Sequence, residues 1–266
     1  MKKKILNNIY IDRKKISKCR ILCIGDLMLD HYIYGKVHRI SPEAPIPILL
    51  NEEEKYFLGG AGNVARNLSE IGAKCTLLSL IGTDHASKKI KNLVSKDKNI
   101  KSELLVLKNY FSPIKTRYIK NSEHLLRVDK EIKSYRKSKQ LLSNISKSLI
   151  RNIEKCNLII LSDYNKGFLN RKLIKEIVSI AKKYNKIIIA DPKKNNLGAY
   201  SYIDLITPNQ KELNDAAGKE LKNEIEIVEF CKSIIQKYNI KEILLTRSEK
   251  GVLLIGQNYL KKYKAD

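Results

Sequence analysis

The sequence predicts an α/β fold: a mostly parallel sheet covered by helices, with a small β-lid. Three observations predict it. From about residue 137 onward, short continuous apolar runs alternate with amphipathic helical stretches, and strands buried on both faces read this way. Polar clusters follow the ends of those runs. Residues 31–58 and 110–130 break the pattern with polar or proline-rich segments that suit a hairpin lid rather than a core sheet.

With 266 residues, 43% of them apolar, the chain can build a core as one large domain or two small ones. Tryptophan is absent and phenylalanine numbers four, so aliphatic side chains must dominate that core. The formal charge of +24 is extreme, and such a balance can mark a nucleic-acid partner. Three features argue against one. Lysine accompanies isoleucine and asparagine throughout, so the bias is global rather than confined to one face. Arginine, whose fork reads base edges, is uncommon beside lysine. Neither zinc-finger spacing nor a basic block followed by heptads occurs. The five cysteines, Cys19, Cys23, Cys75, Cys156 and Cys231, are odd in number and widely spaced, with no C-x-x-C. Reduced, mostly buried thiols in a cytoplasmic protein are the simplest account. The apolar run from Ile5 to Ile11 is too weak for a signal peptide, and no apolar stretch approaches the length of a membrane span.

Taken in order, residues 1–17 are a basic lead-in, short helical or loose. Arg20 to Gly25 (RILCIG) is a compact apolar strand, and Asp26 and Asp30 follow it in GDLMLD. Carboxylates just past the carboxyl end of a buried strand sit where open α/β sheets bind ligands; for Asp26 a loop or cap role is the alternative. In residues 31–58, HYIYGKVHRI is broken by Gly35, and Pro42, Pro45 and Pro47 are spaced through SPEAPIPILL. Prolines this dense exclude a helix and a central strand, so short edge-like strands or an extended arm are expected.

At Leu58 to Asn67, three glycines in four positions, Gly59, Gly60 and Gly62, lead into a helix predicted over 63–71 with Gly72 as its stop. Such a turn gathers free N–H groups suited to a hydroxyl-rich or anionic ligand. Close packing of helix on sheet is the other reading. The stretch is neither G-x-G-x-x-G nor a Walker A loop. Cys75 to Gly82 is another buried strand, Asp84 opens a helix near 86–95, and Glu103 to Leu107 is a short strand. Pro113 to Lys120 and Glu123 to Asp129, turning at Asn121-Ser122, are hairpin material that would pair with 31–58 as one lid. Helices at about 137–155, 170–184, after Pro208-Asn209, and 223–239 then alternate with strands at 157–161, 186–190, 203–206, 242–246 and 251–255. The tail from Tyr259 to Asp266 adds no packed helix and no glycine-rich segment.

Five polar clusters lie beyond strand ends: Asp26 with Asp30, Ser162 to Gly167, Asp191 to Lys193, Thr207 to Glu212, and Thr246 to Gly251. In a parallel sheet these loops converge on one edge. Lysines there can neutralise phosphate, and carboxylates can hold a magnesium ion or its waters. Donors and cations there can stabilise charge on a transferring phosphoryl group. Taken singly, each cluster is equally a solvated turn between strand and helix. The four histidines form no zinc pattern, no G-x-S-x-G elbow occurs, and no cysteine has a nucleophile's context.

Specific strings carry a resemblance. They are GDLMLDHYIYGKVHRISPEAPIPIL at 25–49, LGGAGNVARNLSEIGAK at 58–74, LIGTD at 80–84, KTRYI at 115–119 and LLRVDKE at 125–131, followed by LSDYNKG at 161–167, DPK at 191–193, LITPNQKE at 205–212 and LTRSEKG at 245–251. Through them the chain, from about residue 18, resembles the sugar kinases of the ribokinase (PfkB) family. The string HRISPEAPIP points to the branch that phosphorylates D-glycero-β-D-manno-heptose 7-phosphate at C1. In many bacteria that kinase is the N-terminal domain of a bifunctional enzyme with an adenylyltransferase.

The resemblance implies a Rossmann-like ribokinase fold over 18–266 with lid segments at about 31–58 and 110–130. It implies ATP and Mg²⁺, a cytoplasmic setting, and a homodimer paired through the lids. It places Asp30, Gly59, Gly60 and Asn63 on the sugar hydroxyls. Lys193, with Arg117 and Arg127, becomes a candidate contact for a substrate phosphate. Asn209 and Glu212 match the family's N-x-x-E element, which influences magnesium and phosphate placement without direct metal ligation assigned. Thr246, Ser248 and Gly251 fall where the nucleotide side begins. The product would be heptose 1,7-bisphosphate, feeding ADP-heptose and lipopolysaccharide core.

One family element has no match. The G-A-G-D motif, whose glycines form the anion hole and whose Asp is the base, does not occur in residues 1–266, so no catalytic residue is assigned. A hydroxyl attacking phosphorus needs both parts. The expectation is therefore a kinase domain incomplete at its C-terminus, with low activity of its own that a separate chain supplying the missing part could restore. A non-catalytic sugar-phosphate-binding protein and a basic nucleic-acid-binding protein are the alternatives.

Overall fold

The computed structural model describes residues 12–131, 135, 138–193 and 197–265. The single-turn helix α1 (Arg13–Ile16), capped by Asp12, precedes β1 (Arg20–Gly25). Next come β2 (Leu27–Ile40), β3 (Pro47–Gly60), α2 (Ala61–Glu70), β4 (Lys74–Ile81), α3 (His85–Ser95) and β5 (Ile100–Val106). A hairpin of β6 (Ile114–Lys120) and β7 (Glu123–Lys130) follows, then α4 (Lys139–Lys155), β8 (Leu158–Ser162), α5 (Arg171–Lys183) and β9 (Ile187–Asp191). The last elements are β10 (Leu205–Ile206), α6 (Gln210–Ala217), α7 (Glu224–Tyr238), β11 (Glu242–Thr246), β12 (Val252–Gly256) and β13 (Leu260–Tyr263). Residues 1–11 of the basic lead-in, residue 137 of the predicted helix, and Asp266 lie outside the described residues.

Among the described residues, a nine-stranded sheet has the order β13-β12-β11-β10-β9-β8-β1-β4-β5. From β11 to β5 every neighbouring pair is parallel; β12 and β13 add an antiparallel edge. Strand residues alternate between two cores. Leu22, Ile24, Leu78, Ile159 and Leu161 pack with α4, α5 and α7 on one face. Cys23, Leu77 and Ile81 pack with the small and branched residues of α2 and α3 on the other. That alternation is why the runs are apolar at successive positions: each neighbour faces a different layer. Helix starts follow their caps. Asp84, Ser138, Asn170, Asn209 and Asn223 each accept a backbone N–H from the first turn of the helix that follows. No helix among the described residues is long and apolar enough to cross a membrane.

The lid is the four-stranded sheet β3-β2-β6-β7. It corrects one expectation. The segment predicted as short edge-like strands is a pair of 14-residue strands joined antiparallel from Leu27↔Gly60 to Ile40↔Pro47. The prolines permit this because Pro42 and Pro45 fall between the strands, and Pro47 is the first residue of β3, where no interior ladder bond is lost. Gly35 marks a register shift rather than a break. Asn121 and Ser122 make the predicted turn with φ of 46° and 73°. Two further differences are smaller. Helix α2 begins at Ala61, two residues ahead of the predicted start, and the tail forms β13 against β12.

Candidate functional site

The loops after β1, β8, β9, β10 and β11 leave the same edge of the sheet, because those strands are adjacent and parallel. The five polar clusters are therefore brought together as expected. Asp26 serves the scaffold. Its carboxylate is buried and accepts three backbone N–H bonds from the next loop: Tyr164 at 2.9 Å, Lys166 at 2.9 Å and Phe168 at 3.1 Å. Burial raises its pKa; the bond from Lys166 opposes the rise, and the charge of Asp163 adds to it.

Asp30 stands on β2, cross-strand from Phe57 and Lys115. Its Oδ1 lies 2.6 Å from Nη1 of Arg117, with both side chains under one-fifth exposed. Arg117 also sits over the ring of Tyr32, 5.1 Å from its centroid. Gly59 leaves room for the Asp30 carboxylate. A Cβ on residue 59 would lie 2.9 Å from Asp30 Cγ and 2.7 Å from Met28 Cγ, so only glycine leaves the carboxylate its space. Gly60 adopts φ 59°, caps α2, and would place a Cβ 2.9 Å from Met28 Cε. The first helical N–H, that of Ala61, is already bonded to the Asp26 carbonyl at 2.9 Å. Asn63 is exposed on the first turn of α2. Arg127 pairs across from Arg117 in the ladder, but its Nε turns to Asp129 at 3.0 Å. Arg117 thus joins Asp30, while Arg127 is drawn away along its own strand.

The N-x-x-E pair forms a capping box. Asn209 Oδ1 accepts from the Glu212 N–H at 2.8 Å, and Glu212 Oε2 accepts from the Asn209 N–H at 3.0 Å. The other Glu212 oxygen, Oε1, takes the Lys193 ammonium at 2.7 Å. Lys193 remains about half exposed, and the Glu212 bond raises its pKa. Beside them, burial pushes the Asp191 carboxyl up to about 6, the charge of Glu212 adds to the rise, and Lys193 opposes it. With both Glu212 oxygens engaged inside the protein, and no group of three or more metal-ligating side chains among the described residues, this pair leaves no free carboxylate oxygen for direct ligation of a magnesium ion.

An isolated bridge between Asn209 and Thr246 joins this cluster to the loop after β11. Thr246 and Ser248 line an open cavity of about 720 Å³ with Asn209, Lys211, Arg247 and Lys250. Glu220, Glu224 and Glu249 also line it, and Arg247 pairs there with Glu224 at 3.6 Å. Gly251, at φ 77°, closes the turn from β11 to β12; a Cβ there would fall 2.7 Å from the Ala265 nitrogen. Sequence reasoning placed Tyr164 and Asp191 in clusters without singling them out. Their position at the ends of the central strands β8 and β9 was the available signal.

A family model for pfkB family carbohydrate kinases matches residues 18–265. Among curated proteins, the chain is similar to the bifunctional protein HldE of Paramagnetospirillum magneticum, 37% identical over 245 residues that cover 91% of this chain and 49% of that protein. It is also similar to the bifunctional protein HldE of Helicobacter acinonychis, 38% identical over 241 residues, covering 91% of this chain and 52% of that protein. The chain spans about half the length of the curated relatives it matches. Among solved structures, it is similar to the tetrameric inhibited form of phosphofructokinase-2 from Escherichia coli. The TM-score is 0.74 and the identity 17%, covering 92% of this chain and 79% of that one. It is likewise similar to Arabidopsis thaliana ribokinase complexed with ribose and ATP, with a TM-score of 0.67 and 15% identity over 92% of this chain and 77% of that one.

Proposed function

The chain belongs to the pfkB family of carbohydrate kinases, and from that premise we propose that it is the sugar-binding and nucleotide-placing part of an ATP-dependent sugar-phosphate kinase. The substrate in this reading is D-glycero-β-D-manno-heptose 7-phosphate, phosphorylated at C1 to heptose 1,7-bisphosphate, on the route to ADP-heptose and lipopolysaccharide core. The observation that carries it is the Asp30 carboxylate. It is braced by Arg117 at 2.6 Å and lies against Gly59, whose missing Cβ leaves the carboxylate its space. A fixed carboxylate of this kind accepts hydrogen bonds from sugar hydroxyls. The heptose assignment draws on the HRISPEAPIP string at 38–47, which forms the far end of the β2–β3 hairpin.

In this reading Asp30, Gly59, Gly60 and Asn63 hold the sugar. Lys193 and Arg117 face its phosphate, with Arg127 in reserve on β7. Asn209 and Glu212 set the placement of magnesium through the capping box. Thr246, Ser248 and Gly251 shape the cavity edge where ATP sits. ATP supplies the γ-phosphoryl group, and magnesium disperses its charge. The exposed apolar residues Ile40, Leu50, Leu126 and Val128 on the lid support pairing of two chains through it. Five free thiols, four of them buried, support a reducing, cytoplasmic setting.

The test is at the binding step. Calorimetric titration of the chain should show heptose 7-phosphate binding, with fructose 6-phosphate and ribose weaker. Asp30→Asn should weaken the heptose phosphate by about 10- to 100-fold, as expected for losing hydrogen bonds to a charged acceptor. No binding by the unaltered chain, or equal binding by Asp30→Asn, refutes the reading.

A further inference from the structure

Tyr164 stands between the two halves of the site. The strand order β9-β8-β1 puts the loop after β8 between two others. On one side is the loop after β1, leading to Asp30; on the other is the loop after β9, carrying Asp191 and Lys193. The backbone around Tyr164 is held firmly. Asp26 takes three of the loop's N–H groups, including that of Tyr164. The Asn165 N–H bonds to Asp163 Oδ1 at 2.8 Å, and Asn165 and Gly167 take left-handed φ of 57° and 92°. Lys166 Nζ meets Glu131 Oε2 at 2.5 Å, tying the loop to the end of the lid.

The side chain on this rigid base is half-buried. Among the described residues, none hydrogen-bonds to its hydroxyl. Tyr200, by contrast, is fully buried and gives its hydroxyl proton to Asp163 Oδ2 at 2.7 Å. The Tyr164 phenol also senses both halves of the site. Burial raises its pKa first, the charge of Asp191 adds to the rise, Lys193 opposes it, and Asp30 contributes a further rise. A phenol with no hydrogen-bond partner among the described residues, on a firmly held loop seated between the loop that leads to Asp30 and the loop that carries Asp191 and Lys193, is a donor open to a ligand at this edge of the sheet. Half-buried hydroxyls of this kind are costly to leave unpaired once a ligand excludes water.

Resting on the functional reading above, we propose that Tyr164 is a specificity-determining residue. Its hydroxyl donates a hydrogen bond to the phosphorylated sugar that extends from Asp30 toward Lys193. The ligand class it serves is the sugar phosphate of that reading.

The test is Tyr164→Phe, which removes one oxygen that has no hydrogen-bond partner among the described residues. Calorimetry with heptose 7-phosphate should show affinity weakened about 3- to 10-fold, the usual effect of one hydrogen bond. ADP with magnesium should bind as before, and the urea midpoint should not move. The chain has 14 tyrosines and no tryptophan, so saturating sugar phosphate should also give a tyrosine difference absorbance that shrinks in Tyr164→Phe. Affinity within twofold of the unaltered chain overturns the inference. Loss of folding in Tyr164→Phe shows a packing role and overturns it too. If Asp30→Asn loses binding while Tyr164→Phe keeps it, only this inference falls. If the unaltered chain binds no heptose phosphate, the functional reading falls and takes the inference with it.

Discussion

Replacing Gly59 by alanine puts a methyl group into the space that Asp30 and Met28 occupy beside it. The added Cβ falls 2.7 Å from Met28 Cγ and 2.9 Å from Asp30 Cγ. Ordinary carbon contacts lie at about 3.5–4.0 Å, so the backbone or both neighbours must give by about 1 Å in total. Met28 is 1% exposed and packed in the core, so it has nowhere to go. Asp30 is the freer of the two, but its Oδ1 is 2.6 Å from Arg117, and a displacement of about 1 Å leaves hydrogen-bond range. Overpacking of this kind costs about 1–3 kcal/mol, and the lost ion pair adds about 1 kcal/mol. Gly59→Ala should therefore destabilise the chain by about 2–4 kcal/mol and weaken heptose 7-phosphate binding. Gly59 does not have a positive φ, so the penalty is steric rather than conformational, and it should shrink once the carboxylate is gone. Urea unfolding of Gly59→Ala, Asp30→Ala and the double variant forms a cycle that reads this coupling. A Gly59→Ala variant within about 0.5 kcal/mol of the parent, or a coupling near zero, refutes the reasoning.

Two other predictions concern charge and assembly. Asp191 has a folded-state pKa of about 6 against an ordinary 3.8. Its contribution to stability is thus complete below the lower value and is lost as pH rises through the upper one. A shift of about two units corresponds to about 3 kcal/mol at most; partial exposure and screening reduce this to about 1–2 kcal/mol. In urea unfolding, Asp191→Asn should gain on the parent by that amount between about pH 4 and pH 8, and a difference that stays flat with pH refutes the assignment. On the lid, Leu126 is 57% exposed on the edge strand β7. The parent chain should show a dimer mass by light scattering and Leu126→Lys a monomer mass; a monomeric parent rules out lid pairing.

Much of the fold was legible because its signals are local. The runs NLIIL, KIIIA and EILLT are apolar at consecutive positions since both faces of the sheet are covered, and the helices near 84, 170, 209 and 223 announce themselves by Asp or Asn caps. The lid strands were harder to measure by eye. Glu52, Glu53, Glu54 and Lys55 lie on an edge strand of a sheet with two solvated stretches, so alternation gives little contrast, and charges there guard an edge as much as they mark a loop. Strand β13 (LKKY) has too few apolar residues to be seen without its partner β12. Asn209 and Glu212 were visible as a spaced pair, but the spacing suits a helix cap as well as a ligand site, and the hydrogen bonds show that it is at least the former.

The sequence by itself determined the α/β class, the alternation of strands and helices from β8 to β11, the five strand-end clusters and the glycine turn, because each depends on residues within a few positions of one another. Only the tertiary structure decided which side chains meet. Asp30 finds Arg117 across 87 residues, and Asp26 finds the Tyr164 N–H across 138. Those meetings follow from strand order and register, which bring distant segments side by side and which no local periodicity encodes. For the same reason, two carboxylates four residues apart came to different ends. Asp26 is enclosed by a loop from β8 and holds the scaffold, while Asp30, on the next strand, pairs with an arginine of the lid.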